Sequence, residues 1–167
     1  AALALCDQGF DIPDEAILAG LERAMLPARA EVLQLHPPIL LDGAHNPDSA
    51  AALAALLKAT KTPPLTGVIG ILEGKDAEGV LTALEGCFDQ IYTVAPDTPR
   101  AVDADRLAIA ASAHFRRVEA VSNLKTALKK ALARGSGFCV CGSFYLAGEA
   151  RGLLRQMLEE VSDADRL

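Results

Sequence analysis

A basic surplus is missing from this chain. Its 16 Lys and Arg stand against 22 Asp and Glu, for a formal net charge of −6. A general nucleic-acid coat needs the opposite balance, so no nucleic-acid partner is expected. No apolar run reaches the roughly 18 residues of a membrane span, so no membrane partner is expected either. The start lacks a basic segment leading into an apolar one, which predicts no secretory signal. Tryptophan is absent, and 5 Phe and 2 Tyr are the only aromatics. Cys6, Cys87, Cys139 and Cys141 form no CxxC pair, and no second ligand pair completes a zinc site. Cys139 and Cys141 lie two apart in an apolar run, share one face of a strand, and read as buried thiols in a reducing cytoplasm. GxxxxGK[ST] is absent, as are GxGxxG, GxSxG and HExxH, so a complete catalytic set for phosphate chemistry is not here. Position 1 is Ala1 rather than methionine and the text opens mid-pattern, which predicts a piece of a longer chain.

What is present is alanine and aliphatics. The hydrophobic fraction is 51%, with 31 alanines in it, too rich for a disordered chain. The length of 167 residues suits one domain with a real core. Residues 1–24 are helical in character and lack strands, so they read as a linker. Asp11 or Asp14 is placed to cap a second helix there, with Ile17, Leu18, Leu21 and Met25 on one face. From residue 31 the rhythm changes. Apolar runs at 31–35, 39–41, 67–72, 90–95, 115–121 and 138–142 alternate with amphipathic stretches at 47–60, 77–87, 103–112, 123–134 and 145–160. Such βα units predict an α/β, Rossmann-like domain: a mostly parallel sheet of about six strands with helices on both faces. Residues 162–167 read as a frayed tail.

Two strand ends look chemical. In Asp42-Gly43-Ala44-His45-Asn46-Pro47 a buried strand meets a glycine turn and then a helix. Asn46 suits the N-cap and Pro47 the first helical position. The helix N-terminus at Asn46 therefore offers backbone N–H groups to an anion. Ligands of open α/β sheets bind outside the carboxyl ends of strands, so Asp42 and His45 are candidates to hold a ribose, an amine or a carboxylate. Ordinary turn chemistry explains the same letters. In Cys141-Gly142-Ser143-Phe144-Tyr145, Ser143 is either a plain N-cap or a ligand for a carboxylate. If both strands are parallel, both turns lie on one sheet edge. Lys75, after a third strand, could meet an anion there or be solvated. Arg29, after Pro27, could reach phosphates or a base from the domain boundary. Arg100, in the rigid 95–100 loop, is open to either reading. His36 and His114 have no companions in sequence and are taken as structural.

These segments carry a resemblance. Asp42-Gly43-Ala44-His45-Asn46-Pro47 resembles the signature of folylpolyglutamate synthases, including the bifunctional dihydrofolate synthase enzymes. Gly142-Ser143-Phe144-Tyr145-Leu146 with Gly148-Glu149 resembles that family's C-terminal motif. Gly70-Ile71-Leu72 with Lys75-Asp76 resembles its middle motif, and Ala95-Pro96 with Pro99-Arg100-Ala101 fits as well. The matches come in family order over residues 27 to about 160. In two places the chain departs from the family: Ala28 stands where Pro-Gly-Arg has glycine, and Gly74 where aspartate precedes Lys-Asp.

The resemblance implies the C-terminal domain of a Mur-ligase-type enzyme. Residues 1–26 would then close an N-terminal ATPase domain and form the linker. Residues 27–160 would be the glutamate-ligase domain, and 161–167 a tail. The family reaction is ATP-dependent amide formation through an acyl phosphate, adding L-glutamate to dihydropteroate or folates. The P-loop, the Mg2+ ligands and most of the folate site would lie in the N-terminal domain, so the fragment alone is expected to be inactive. By the same resemblance Arg29 and Asp42 would face ATP, and His45, Ser143 and Lys75 would serve glutamate. Two other readings compete with it. Another Mur-type ligase shares the fold but differs at Gly142-Ser143-Phe144-Tyr145. A non-catalytic receiver-like module needs an acidic pair at the end of its first strand, which Val32 to Leu35 lacks.

Overall fold

The computed structural model describes residues 1–24, 26–60 and 65–164. Two helices lead, α1 (Ala2–Cys6) and α2 (Asp14–Arg23), and neither buries a residue. Asp14 is the first helical residue of α2 rather than its cap. Pro13 stands at the N-cap with no side-chain bond, and its fixed φ suits a helix entrance without one. Met25, expected on the apolar face of α2, lies outside the described residues. A hairpin follows, β1 (Glu31–Leu35) and β2 (Pro38–Leu41), and then the βα rhythm: α3 (Pro47–Ala59), β3 (Leu65–Ile69), α4 (Ala77–Ala83), β4 (Phe88–Thr93), α5 (Ala104–Ala111), β5 (Val118–Ala120), α6 (Leu124–Ala133), β6 (Phe138–Cys141) and α7 (Phe144–Ala164).

The six strands form one sheet in the order β1-β2-β6-β3-β4-β5. Only β1 runs antiparallel, paired with β2; β2, β6, β3, β4 and β5 are parallel neighbours. Each helix that follows a strand starts on a short polar side chain. Asn46 accepts from Ser49 N, Asp76 from Gly79 N, Asp103 from Asp105 N and Arg106 N, Asn123 from Thr126 N, and Ser143 from Leu146 N. These bonds satisfy orphan donors at the helix starts, each typically contributing about 1 kcal/mol.

Helices cover both sheet faces. On one side α3 (Leu53, Leu57), α4 (Val80, Leu81) and α5 (Leu107) pack on Leu65, Ile69, Ile91, Cys139 and Cys141. On the other α6 (Leu124, Leu128) and α7 (Leu146, Leu154) pack on Ile39, Leu41, Val68, Val94 and Val140. Alanines let the helices approach closely: Ala50, Ala127, Ala147 and Ala150 are all fully buried. Cys87, Cys139 and Cys141 are buried free thiols, with Cys139 and Cys141 on the same face as expected. A bond to the Cys141 thiol and burial hold the Cys139 thiol well above its usual range, so it stays protonated.

Several boundaries differ from the periodicity, three of them for evident reasons. The run at 67–72 leaves the sheet after Ile69, because Leu72 instead bridges Ala101 and Ile71 O accepts from Val102 N. Helix α4 stops at Ala83 rather than 87, where a turn through Gly86 (φ +76°) feeds β4 two residues early. Helix α7 continues to Ala164, past the expected end at 160; residues 165–167 of the expected tail lie outside the described residues.

Candidate active site

Parallel strands place their carboxyl ends on one edge, and here β2, β6 and β3 are neighbours. The loops after them therefore meet. Their approach depends on small residues. Gly142 has φ +107°, its N–H donates to Ala44 O at 2.8 Å, and a Cβ there would lie 2.6 Å from Gly70 O. A Cβ on Gly43 would overlap the Phe144 ring.

Asp42 closes β2. Its Oδ1 accepts from Ala44 N and its Oδ2 from Ala30 N, both at 2.7 Å. Gly43 N also donates to Ala28 O at 2.7 Å. The segment before β1 is thus fastened to the strand end, and Ala28 (φ +55°) and Ala30 (φ +46°) adopt left-handed backbone to reach it. Glycine holds such a conformation without the steric cost that alanine carries, which gives physical weight to the departure at Ala28. Glu31 completes the fastening: its Oε2 accepts from Ala28 N at 2.9 Å and its Oε1 from Arg151 Nε at 2.7 Å. Burial works to raise the Glu31 pKa, but the bonds from Arg151 and Ala28 and the charges of Arg151 and Arg155 outweigh it and hold it below its usual value.

His45 follows the turn. Its Nδ1 lies 2.8 Å from Gly43 O, a pure acceptor, so Nδ1 carries a proton, and in the neutral form of the ring Nε2 is the acceptor. Asn46 and Ser49 form a capping box, with Ser49 N bonded to Asn46 Oδ1 at 2.8 Å. Pro47 has no N–H, so Asp48 N is the first-turn donor with no partner among the described residues, and Asp48 is itself the acidic residue of that turn. Ser143 is buried, 1% exposed, and its Oγ accepts from Leu146 N at 3.1 Å, so it caps α7.

Arg29 reaches the same rim. Its Cζ lies 4.8 Å from the centroid of the Phe144 ring, and the His45 ring lies 5.7 Å from that ring at 54°. The structure thus brings Arg29, Asp42, His45, Asn46 and Ser143 to one sheet edge. Lys75 is on that edge too but exposed, with no side-chain partner among the described residues. Arg100 braces the loop after β3: its Nη2 lies 3.4 Å from Glu73 O, and Glu73 also pairs with Arg106 at 2.7 Å. A groove of about 890 Å³ lies between the 26–33 segment and α7, lined by Pro27, Arg29, Val32, Arg151, Arg155 and Leu158. Neither His45 nor Ser143 lines it.

Phe144 and the Glu31–Arg151 pair escaped sequence reasoning. Glu31 and Arg151 are 120 residues apart, and no local pattern signals their meeting. His114, without companions in sequence, is bracketed in the fold by Glu85 at 2.5 Å and Glu78 at 2.8 Å, both from the α4 region. The Glu85 bond, opposed by burial and aided by Glu78, raises its pKa above the usual histidine value. None of the three is hydrogen-bonded or ion-paired to Arg29, Asp42, His45 or Ser143. Among the described residues no three His, Cys, Asp or Glu side chains converge as a metal site would need.

Comparison with known proteins adds independent information. The family described as Mur ligase, glutamate ligase domain, matches residues 28–144. A dihydrofolate synthase/folylpolyglutamate synthase of Mycobacterium tuberculosis is 34% identical over 158 residues, covering 83% of this chain and 32% of that protein. The crystal structure of a Mycobacterium tuberculosis folylpolyglutamate synthase complexed with ADP and AMPPCP superposes with a TM-score of 0.81 at 34% identity, covering 87% of this chain and 36% of that one. FolC of E. coli in complex with DHPP and ADP gives a TM-score of 0.79 at 28% identity, covering 99% of this chain and 38% of that one. The chain spans about a third or less of the length of the curated relatives it matches.

Proposed function

The chain belongs to the Mur ligase family as its glutamate ligase domain, and from that premise we propose that it is the closing half of an ATP-dependent ligase joining L-glutamate to dihydropteroate or folates. The relatives' names, folylpolyglutamate and dihydrofolate synthase, support that substrate class. The single observation that carries the reading is the meeting of Arg29, Asp42 and His45 at the carboxyl ends of parallel strands. On this reading residues 1–26 belong to the linker and the end of an ATPase domain, 27–160 to the ligase domain, and 161–167 to a tail.

The reaction has two steps. The pterin substrate's carboxylate attacks the γ-phosphorus of ATP, which forms an acyl phosphate and releases ADP. The glutamate amine then attacks the acyl carbon, forming the amide and releasing phosphate and a proton. Mg2+, when bound, would neutralise phosphate charge. On the family resemblance its ligands would lie in the ATPase domain.

Each residue of this chain has a task that its geometry suits. Arg29, exposed and planar, would meet phosphate or base at the rim. Asp42 keeps a second lone pair on each oxygen after its backbone bonds, enough to accept from a ribose hydroxyl. His45 Nε2 would accept a hydrogen from the incoming amine and align it. Ser143, buried, would act through the α7 start that it caps, and Asn46 through the α3 start, the two helix ends favouring glutamate's carboxylates. Lys75 would supply a mobile cation for the same ligand. Closure of this domain would exclude water from the acyl phosphate. The place of action would be the cytoplasm; among the described residues no helix is long and apolar enough to cross a membrane.

The experiment is steady-state kinetics on the full-length protein, reading glutamate-dependent ADP release with dihydropteroate or tetrahydrofolate. Asp42→Ala is expected to raise the KM for ATP and His45→Ala the KM for glutamate. Unchanged KM and kcat in both variants would refute the assignment.

A further inference from the structure

Phe144 is a large apolar residue with little part in either core. It is 39% exposed, whereas Leu146, Ala147 and Ala150, next along α7, are fully buried. Its ring meets three residues of the strand-end site. The Arg29 guanidinium lies over it at 4.8 Å, the His45 imidazole leans on it at 5.7 Å, and Gly43 lies so close that a Cβ would overlap it. Arg29 makes no ion pair among the described residues, so the ring is the partner that restricts it. A free arginine loses much rotamer freedom when it binds a ligand, and an arginine already laid on a ring loses less. The ring's negative face attracts the cation without occupying its N–H groups, which stay available to a ligand. Gly43 has its place in this arrangement: any side chain there would push the ring off its two partners.

We propose that Phe144 is a positioning residue that holds the Arg29 guanidinium and the His45 imidazole in place for the nucleotide and glutamate. The proposal rests on the ligase reading above. It assigns the ring no contact with the reacting atoms. Its effect is on ligand capture, so it belongs in KM rather than kcat.

The test is a kinetic cycle in the full-length ligase with Phe144→Leu, Arg29→Ala and the double variant. Leucine keeps most of the apolar volume and removes the ring. Phe144→Leu is expected to raise the KM for ATP roughly 3- to 10-fold, the range for a lost cation–π contact, with kcat within about twofold. The double variant is expected to bind ATP no worse than Arg29→Ala alone, because the ring acts through that arginine. A second series keeps the fold by construction: mono-, di- and trifluorophenylalanine at position 144 weaken the ring's cation binding at nearly constant shape. The KM for ATP is expected to climb with each fluorine. Additive effects in the cycle, or a flat fluorination series, would overturn the inference while leaving the ligase reading intact. A wild-type protein that releases no ADP on addition of glutamate would overturn the ligase reading, and the inference with it.

Discussion

Gly142→Ala is the sharpest perturbation of the strand-end architecture. Two separate costs act at this position. The backbone sits at φ +107°, where an L side chain is strained by about 1–3 kcal/mol. The new Cβ would also lie 2.6 Å from Gly70 O and 3.0 Å from Gly70 C and N. That obstacle is backbone, and Gly70 N is itself bonded to Cys141 O, so it cannot swing aside as a side-chain tip would. Forced crowding of this kind adds about 1–3 kcal/mol. The sum, about 2–6 kcal/mol, is a large share of the roughly 5–15 kcal/mol that holds a domain folded. Gly86→Ala separates the two costs. Gly86 also has positive φ, +76°, but nothing lies within 4 Å of a Cβ there, so it carries the backbone cost alone, about 1 kcal/mol. Urea unfolding of the 167-residue chain, followed by far-ultraviolet circular dichroism, reads both. With a slope near 2 kcal/mol/M, a loss of about 3 kcal/mol moves the midpoint down by about 1.5 M. A Gly142→Ala midpoint no lower than that of Gly86→Ala would refute the close-approach argument.

His114→Asn tests the pairing of His114 with Glu78 and Glu85. The folded-state pKa of His114 is raised, so its contribution is full below the unfolded value of about 6.5 and is lost as pH rises through the higher folded value. The stability gap between parent and variant should therefore be widest near pH 5.5–6 and shrink on the alkaline side; a gap that widens with pH would contradict the pairing. Glu31→Gln carries the opposite sign. The Glu31 pKa is lowered, so its contribution is present above the unfolded value and lost as pH falls through the folded one. At neutral pH the cost should be about 1–3 kcal/mol for a charge-assisted pair, checked by urea midpoints at pH 7 and pH 3. The isolated chain should bind glutamate only weakly, since closure builds the site; micromolar affinity by calorimetry would overturn that.

The alternation of short aliphatic runs with amphipathic stretches made the parallel sheet legible, because a buried parallel strand has no polar face to confuse its pattern. The helix starts were legible for a related reason: Asn46, Asp76, Asp103, Asn123 and Ser143 are residues whose side chains satisfy a first turn. Strand ends were less so. Whether Ile71 and Leu72 stay in the sheet depends on Ala101 and Val102, thirty residues on, and no local letter reports that. The same holds at the site. Asp42 and His45 stood out because a glycine turn follows a buried strand. The grip of Asp42 on Ala30, the Glu31–Arg151 pair and the ring under Arg29 are tertiary facts. They join residues that sequence distance separates, and only folding brings them into contact.

The fastening before β1 decides where motion can begin. Ala28 and Ala30 are tied to Gly43 and Asp42, and Glu31 to Arg151, so Arg29 is bolted to the sheet on both sides of its own peptide. Any swing between α2 and the sheet must take its axis upstream of Ala28. Arg29 would then ride the sheet as a tooth on a gear, sweeping an arc in step with Asp42 and His45. On the ligase reading, a nucleotide held by another domain would meet Arg29 and Asp42 together, and His45 would arrive for glutamate in the same motion.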